Sequence, residues 1–163
     1  MTELDYATVQ RYWNAAKPSI LSPYMMDGFG FPAGAGQFRF RAESKIVQRL
    51  IAGANTNGTV LDLGSGMGYW AEFFSRRFAN VVAIEASSSL FEDLKRRCAP
   101  HANVKTLHGR VSEFEPEGVY SLMFCGGMLM YLKTEDVISL LRNLIPFLDA
   151  GGMILCRETT VRE

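Results

Sequence analysis

The chain has 163 residues, of which 48% are hydrophobic and 21% charged, enough apolar material for the core of one domain. Lys+Arg and Asp+Glu both number 17, so no net charge draws the protein onto a phosphate backbone, which argues against nucleic-acid partners. The 3 cysteines, Cys98, Cys125 and Cys156, are scattered without a Cys-x-x-Cys pair; this argues against a disulfide framework or a structural zinc and fits a reducing cytoplasm.

The first residues, Met1-Thr2-Glu3-Leu4-Asp5, are acidic and lack the apolar core of a signal peptide. No apolar run reaches about 18 residues, so no membrane span is predicted. Tyr6, Val9, Trp13 and Ala16 recur at helical spacing and predict an amphipathic helix ending before Pro18. Residues 22–36 hold too many glycines and prolines for a regular element. Their Tyr24, Met25, Met26, Phe29 and Phe31 are too apolar for a disordered linker, so the segment reads as a packed loop. Residues 1–40 are expected to form an N-terminal helical, aromatic lid, and residues 41–163 the core.

In the core, Ile46, Val47, Leu50 and Ile51 mark a helix face, and Asn55-Thr56-Asn57-Gly58 is a turn. Thr59-Val60-Leu61-Asp62-Leu63 predicts a first strand, followed by Gly64-Ser65-Gly66-Met67-Gly68 and a helical stripe of Trp70, Ala71, Phe74 and Phe78. Val81-Val82-Ala83-Ile84 predicts a second strand closed by Glu85, and Ser89 with Glu92 forms a capping box for the next helix, with Leu90, Phe91, Leu94 and Cys98 inward. Val104-Lys105-Thr106-Leu107 and Tyr120-Ser121-Leu122-Met123-Phe124 predict the third and fourth strands. Thr134 caps a helix with Val137, Leu140, Leu141, Leu144 and Leu148 inward, Gly151-Gly152 ends it, and Met153-Ile154-Leu155-Cys156 is the fifth strand. The strands are continuous apolar runs alternating with helices, which predicts an α/β fold: a doubly wound, mostly parallel sheet with helices on both faces. Such sheets bind ligands beyond the carboxyl ends of the strands, where strand order reverses.

The Gly-x-Gly-x-Gly run sits between a predicted strand and helix, where glycine permits a tight turn and close backbone approach to a ligand. A dinucleotide fingerprint needs a third small residue where this chain has Tyr69, and Asp62 would set a charge near a pyrophosphate. A ligand with an amino group and a sulfonium suits the loop better. Glu85, ending the neighbouring strand, is placed to accept both hydroxyls of a ribose.

As an ordered set these residues resemble the class I, Rossmann-like S-adenosylmethionine-dependent methyltransferases. Val60 to Trp70 is similar to that family's first motif, Ala83-Ile84-Glu85-Ala86-Ser87 to its second, and the segment from Leu144 to Gly152 to the approach to its fifth strand. The resemblance implies S-adenosylmethionine as cofactor, Gly64 and Gly66 along its methionine moiety, Asp62 ordering the loop and Glu85 on the ribose. Ser65, Ala86, Arg110, Val111 and Cys125 complete the expected cofactor contacts. Arg110 stands where the family often has an acid for the adenine amine, which leaves the Val111 backbone to serve that ring. The family's last two strands are expected to be lacking, since the sequence stops at Glu163 just past the fifth. The exposed fifth strand is then expected to be covered by a second copy, a partner chain or a further C-terminal segment.

Methyl transfer from a sulfonium needs positioning and desolvation rather than a metal, and no metal-ligand cluster is visible. Cys125-Gly126-Gly127-Met128 follows the fourth strand in place of the Asn/Asp-Pro-Pro-aromatic run of base-modifying enzymes. Tyr12, Trp13, Tyr24, Met128 and Tyr131 are candidates for the lid and substrate pocket, with core packing as their alternative. Arg39 and Arg41 are candidates for the cofactor's carboxylate, with a solvated pair as the alternative; His101 reads as a solvated loop residue, His108 as structural and Glu158 as a surface carboxylate with catalysis as its alternative, and no catalytic residue is assigned. The expected activity is methyl transfer to a small-molecule acceptor. The rival is a non-catalytic cofactor-binding or scaffold module that needs a partner chain or a further C-terminal segment.

Overall fold

A computed structural model of the chain describes residues 4–15 and 31–158. Helix α1 (Tyr6–Asn14) is capped by Asp5, whose carboxylate accepts the N–H groups of Ala7 and Thr8 at 3.1 and 3.2 Å. Helix α2 (Ala35–Leu50) starts before the expected boundary at residue 40 and runs across it. The core then alternates: β1 (Thr59–Leu63), α3 (Tyr69–Ser75), β2 (Asn80–Glu85), α4 (Ser88–Cys98), β3 (Val104–His108), β4 (Tyr120–Gly126), α5 (Thr134–Leu144) and β5 (Leu148–Arg157). Single 3-10 turns follow β3, β4 and α5.

The sheet order is β3-β2-β1-β4-β5 and all four pairings are parallel. Strand order reverses between β1 and β4, and that point fixes where a ligand meets the sheet. Successive side chains of a strand point to opposite faces, so the core has two halves. Val60, Val81, Ala83, Leu122 and Phe124 pack under α2, α3 and α4 against Val47, Ile51, Trp70, Phe74 and Leu94. Leu61, Leu63, Ile84, Met123 and Cys125 pack on the other face against Leu140 and Leu144 of α5.

Several expected details move. Of the four positions expected to face inward around the end of α2, Val47 and Ile51 are buried while Ile46 and Leu50 are exposed, because the four span more than one helix face. Helix α4 starts two residues earlier than a Ser89 cap requires: Ser87 is the cap and its hydroxyl accepts the N–H of Leu90 at 3.4 Å. Lys133, not Thr134, is the cap residue of α5, without a side-chain bond; Glu135 and Asp136 in the first turn meet the helix dipole instead. Gly151-Gly152 does not precede β5 but lies within it. A Cβ on Gly152 would stand 2.9 Å from the carbonyl oxygens of Tyr120 and Asp149, so glycine there permits a close approach to β4 opposite a register shift.

Candidate functional site

A cavity of about 600 Å³ opens over the carboxyl ends of β1, β2 and β4, and α1 lies across it. That volume is in the range of small-molecule sites. The loop after β1 makes its floor, with Gly64, Gly66 and Gly68 at φ 68°, 56° and 82°. At Gly64 the left-handed backbone coincides with a close approach, since a Cβ would fall 2.6 Å from Cγ of Met128. At Gly66 the space where a Cβ would point is open, leaving backbone exposed toward the cavity.

Glu85, 8% exposed, ties this loop to β2. Its Oε2 accepts the N–H of Gly66 at 2.8 Å and its Oε1 that of Ser87 at 2.7 Å. The Ser65 N–H donates to the Ile84 carbonyl at 2.8 Å, so loop and strand end form one unit. Each carboxylate oxygen keeps lone-pair capacity for a further donor. Burial pushes the Glu85 carboxyl above its usual range, and the N–H contacts act the other way.

Asp62, buried beneath the loop, has its carboxyl pushed up to about 7 by burial, with the Glu85 charge adding to the rise and an N–H bond from Ala71 of α3 opposing it. Its Oδ2 and the indole Nε1 of Trp70 are both buried in the cavity wall without a hydrogen-bond partner among the described residues. One is an acceptor and one a donor, so the wall suits a ligand end that carries both an ammonium and an acceptor group.

Of the expected cofactor contacts, Asp62, Gly64, Ser65, Gly66, Glu85, Ala86, Arg110 and Val111 all line the cavity. Cys125 does not: its side chain is fully buried on the α5 face of the sheet, and its neighbours Gly126, Gly127 and Met128 form the wall instead. Tyr12, Trp13, Met128 and Tyr131 line it as well, with Trp13 edge-on to Tyr131 at 5.3 Å and to Tyr12 at 5.2 Å. Tyr24 lies outside the described residues. Arg39 is paired with Glu43 at 2.7 Å and Arg41 faces a separate cleft beside Tyr69 and Arg97, so neither lines this cavity.

The two histidines stand away from it. His101 is 3.9 Å from Glu72, and His108 stacks on Phe91 at 4.7 Å with its Nε2 3.2 Å from the Ala86 carbonyl. Glu158 is neither a free surface carboxylate nor a cavity residue. Its Oε1 accepts the N–H groups of Met128 and Leu129 at 3.0 and 3.1 Å, so it holds the turn that carries Met128 against Gly64.

Sequence reasoning missed the fastening of α1. At one end the Ser87 hydroxyl donates to the Trp13 carbonyl at 3.0 Å and the Ser88 N–H to Asn14 Oδ1 at 3.2 Å. At the other, the Tyr6 hydroxyl donates to Asp136 at the start of α5 and accepts the Lys133 N–H at 2.9 Å. Tyr6 was legible only as a member of a helical stripe, and nothing in the spacing marked Asp136, 130 residues away.

A family model described as "Methyltransferase domain" matches residues 60–152, more than half of the chain. The ribosomal RNA small subunit methyltransferase A of Streptococcus thermophilus is 29% identical over 131 residues, covering 74% of this chain and 44% of that protein. Phosphoethanolamine N-methyltransferase 3 of Arabidopsis thaliana is 27% identical over 108 residues, covering 64% of this chain and 22% of that protein. This chain therefore spans half or less of the length of these relatives. In fold it is similar to phosphoethanolamine N-methyltransferase 1 of Haemonchus contortus, solved with phosphoethanolamine and S-adenosylhomocysteine. The TM-score is 0.75 at 20% identity, over 94% of this chain and 31% of that one.

Proposed function

Because the chain belongs to the methyltransferase-domain family, we propose that its cavity binds S-adenosylmethionine and that it transfers the methyl group to a small-molecule acceptor held beneath α1. The observation that carries this reading is the Glu85 carboxylate, buried at the end of β2 and clamped to the N–H of Gly66. Its remaining lone pairs face the cavity where a ribose would offer two hydroxyls. Asp62 Oδ2 suits the cofactor's ammonium, Trp70 Nε1 its carboxylate, and the Val111 side of the cavity its adenine. The cofactor supplies a methyl group already activated on a sulfonium, so the chain's own residues have only to position, desolvate and orient. Trp13, Tyr131 and Met128 exclude water from that end, and aromatic faces tolerate a nearby cation.

A small acceptor is favoured by the aromatic residues of α1 that line the cavity and by the zero net charge. A ribosomal RNA acceptor is the second reading, favoured by the names of the relatives; the Cys125-Gly126-Gly127-Met128 sequence at the end of β4 stands against it. On our reading the lid is α1 rather than all of residues 1–40, since α2 belongs to the core. No helix among the described residues is long and apolar enough to cross a membrane, and the free cysteines suit a reducing, cytoplasmic setting. The β5 edge of the described sheet is proposed to pair with a second copy, a partner chain or a further C-terminal segment.

Calorimetric titration with S-adenosylhomocysteine and with NAD tests the cofactor: binding of the first and not the second is expected, and the reverse would overturn the reading. Transfer of labelled methyl to a metabolite panel and to ribosomal RNA then separates the two acceptors. Tight cofactor binding with no turnover on either would favour a non-catalytic module.

A further inference from the structure

Cys125 and Cys156 lie directly opposite each other on β4 and β5. Neighbouring strands run about 4.7–4.9 Å apart, within the roughly 4.4–6.8 Å separation of Cα atoms that a disulfide spans. In a parallel pair, residues in register put their side chains on the same face of the sheet, so the two thiols are neighbours. Cys125 is fully buried and Cys156 is exposed, so one sulfur of the pair meets solvent and the other waits behind it. The neighbouring Cys125 draws the Cys156 thiol below its usual range, and the Cys156 neighbour together with burial pushes the Cys125 thiol up. Low thiolate pKa together with exposure is what makes a cysteine react with peroxides. Cys98 is the internal contrast: it is buried and burial pushes its thiol up to about 11.

We propose that Cys125 and Cys156 form a reversible dithiol–disulfide site, with Cys156 the residue that attacks peroxide and Cys125 the residue that resolves the product. In the first step the Cys156 thiolate attacks hydrogen peroxide; the O–O bond breaks, an S–O bond forms and hydroxide leaves. In the second the Cys125 sulfur attacks the sulfenic sulfur; the S–O bond breaks, the S–S bond forms, and the oxygen leaves as water with the Cys125 proton. Two electrons pass from the thiol pair to the peroxide. The bond joins strand ends that carry the cavity wall, since Gly126 to Met128 follow Cys125 and the Glu158 clamp stands two residues past Cys156.

The test is intact-mass and peptide mapping of the full chain after brief hydrogen peroxide treatment. A species lighter by two hydrogens is expected, yielding a Cys125–Cys156 linked peptide that dithiothreitol reverses. In Cys125→Ser the Cys156 sulfenic acid should persist and be trapped by dimedone; in Cys156→Ser no early oxidation should appear. Oxidation of Cys98 at the same rate, over-oxidation of Cys156 with Cys125 present, or only disulfides between chains would each overturn the proposal. The effect on the site rests on the cofactor reading: the oxidised chain should bind S-adenosylhomocysteine severalfold more weakly. The reduced chain is titrated first, so a failure to bind there counts against the cofactor, while the mass data alone decide the disulfide.

Discussion

Glu85 holds two backbone N–H groups before any ligand arrives, so its role in the site is double: it shapes the glycine loop and keeps acceptor capacity for the cofactor. Glu85→Gln preserves the size of the side chain but turns one acceptor into a donor facing an N–H. We expect S-adenosylhomocysteine binding to weaken by roughly 1.5–3 kcal/mol, the scale of hydrogen bonds to charged groups, with the circular dichroism unchanged. Equal affinity by calorimetry would reduce Glu85 to a loop anchor. Asp62 gives a pH prediction. Its folded pKa of about 7 lies above its ordinary 3.8, so the folded chain binds the extra proton more tightly than the unfolded one. That contribution to stability is complete below about pH 4 and is lost as pH rises toward 7. The difference in urea midpoint between wild type and Asp62→Asn, followed from pH 4 to 8, should therefore drift against the wild type; a flat difference would mean that Asp62 stays ionised. Both residues could be chosen from sequence because each ends or interrupts an apolar strand beside a glycine run. Cys125, expected among the cofactor contacts, also sits near a strand end, but strand alternation turns its side chain to the α5 face, where it is a buried core thiol away from the cavity.

At the scale of elements, α1 buries none of its residues, yet it is fastened at both ends and carries Tyr12 and Trp13 into the cavity roof. An element with little core contact opens at low cost, which is what a lid requires. Hydrogen exchange should slow across residues 6–14 when S-adenosylhomocysteine is added, and Tyr6→Phe, which removes the tie to Asp136, should lessen that protection. Unchanged exchange would make α1 a fixed part of the wall. The strands were legible because burial on both faces leaves long apolar runs. Helix starts were less so: Ser87, Ser88 and Ser89 can all cap, and the choice falls to Ser87 because Glu85 Oε1 already holds its N–H and stops the strand there. The extent of β5 was hidden by Gly151-Gly152, whose turn-like composition serves a close backbone approach that only the neighbouring strand explains.

For the whole molecule, β5 is an edge of the described sheet, paired with β4 alone among these strands. Its Met153, Ile154 and Leu155 are only partly buried, and Ile46 and Leu50 of α2 and Ile145 are exposed on the same domain. An apolar edge of this kind pairs readily with another strand. Light scattering at low micromolar concentration should find the chain self-associated, and Ile154→Lys should shift it toward monomer; a monodisperse wild-type monomer would count against an occupied edge.

The Glu158 clamp also bears on the order in which the protein acquires its site. The glycine loop and Glu85 belong to the contiguous β1-α3-β2 segment, whose contacts are close in sequence and close early. The opposite wall, at Met128, is held from position 158, and the roof is tied to Asp136 from position 6. Those closures join distant parts of the chain and must wait for most of the sheet. During refolding, amides of residues 59–85 should gain protection before those of Met128 and Leu129 in pulsed exchange. A ribosome-bound chain would then hold half of a nucleoside pocket long before the acceptor side exists, and tight ligand capture would report completed folding rather than guide it.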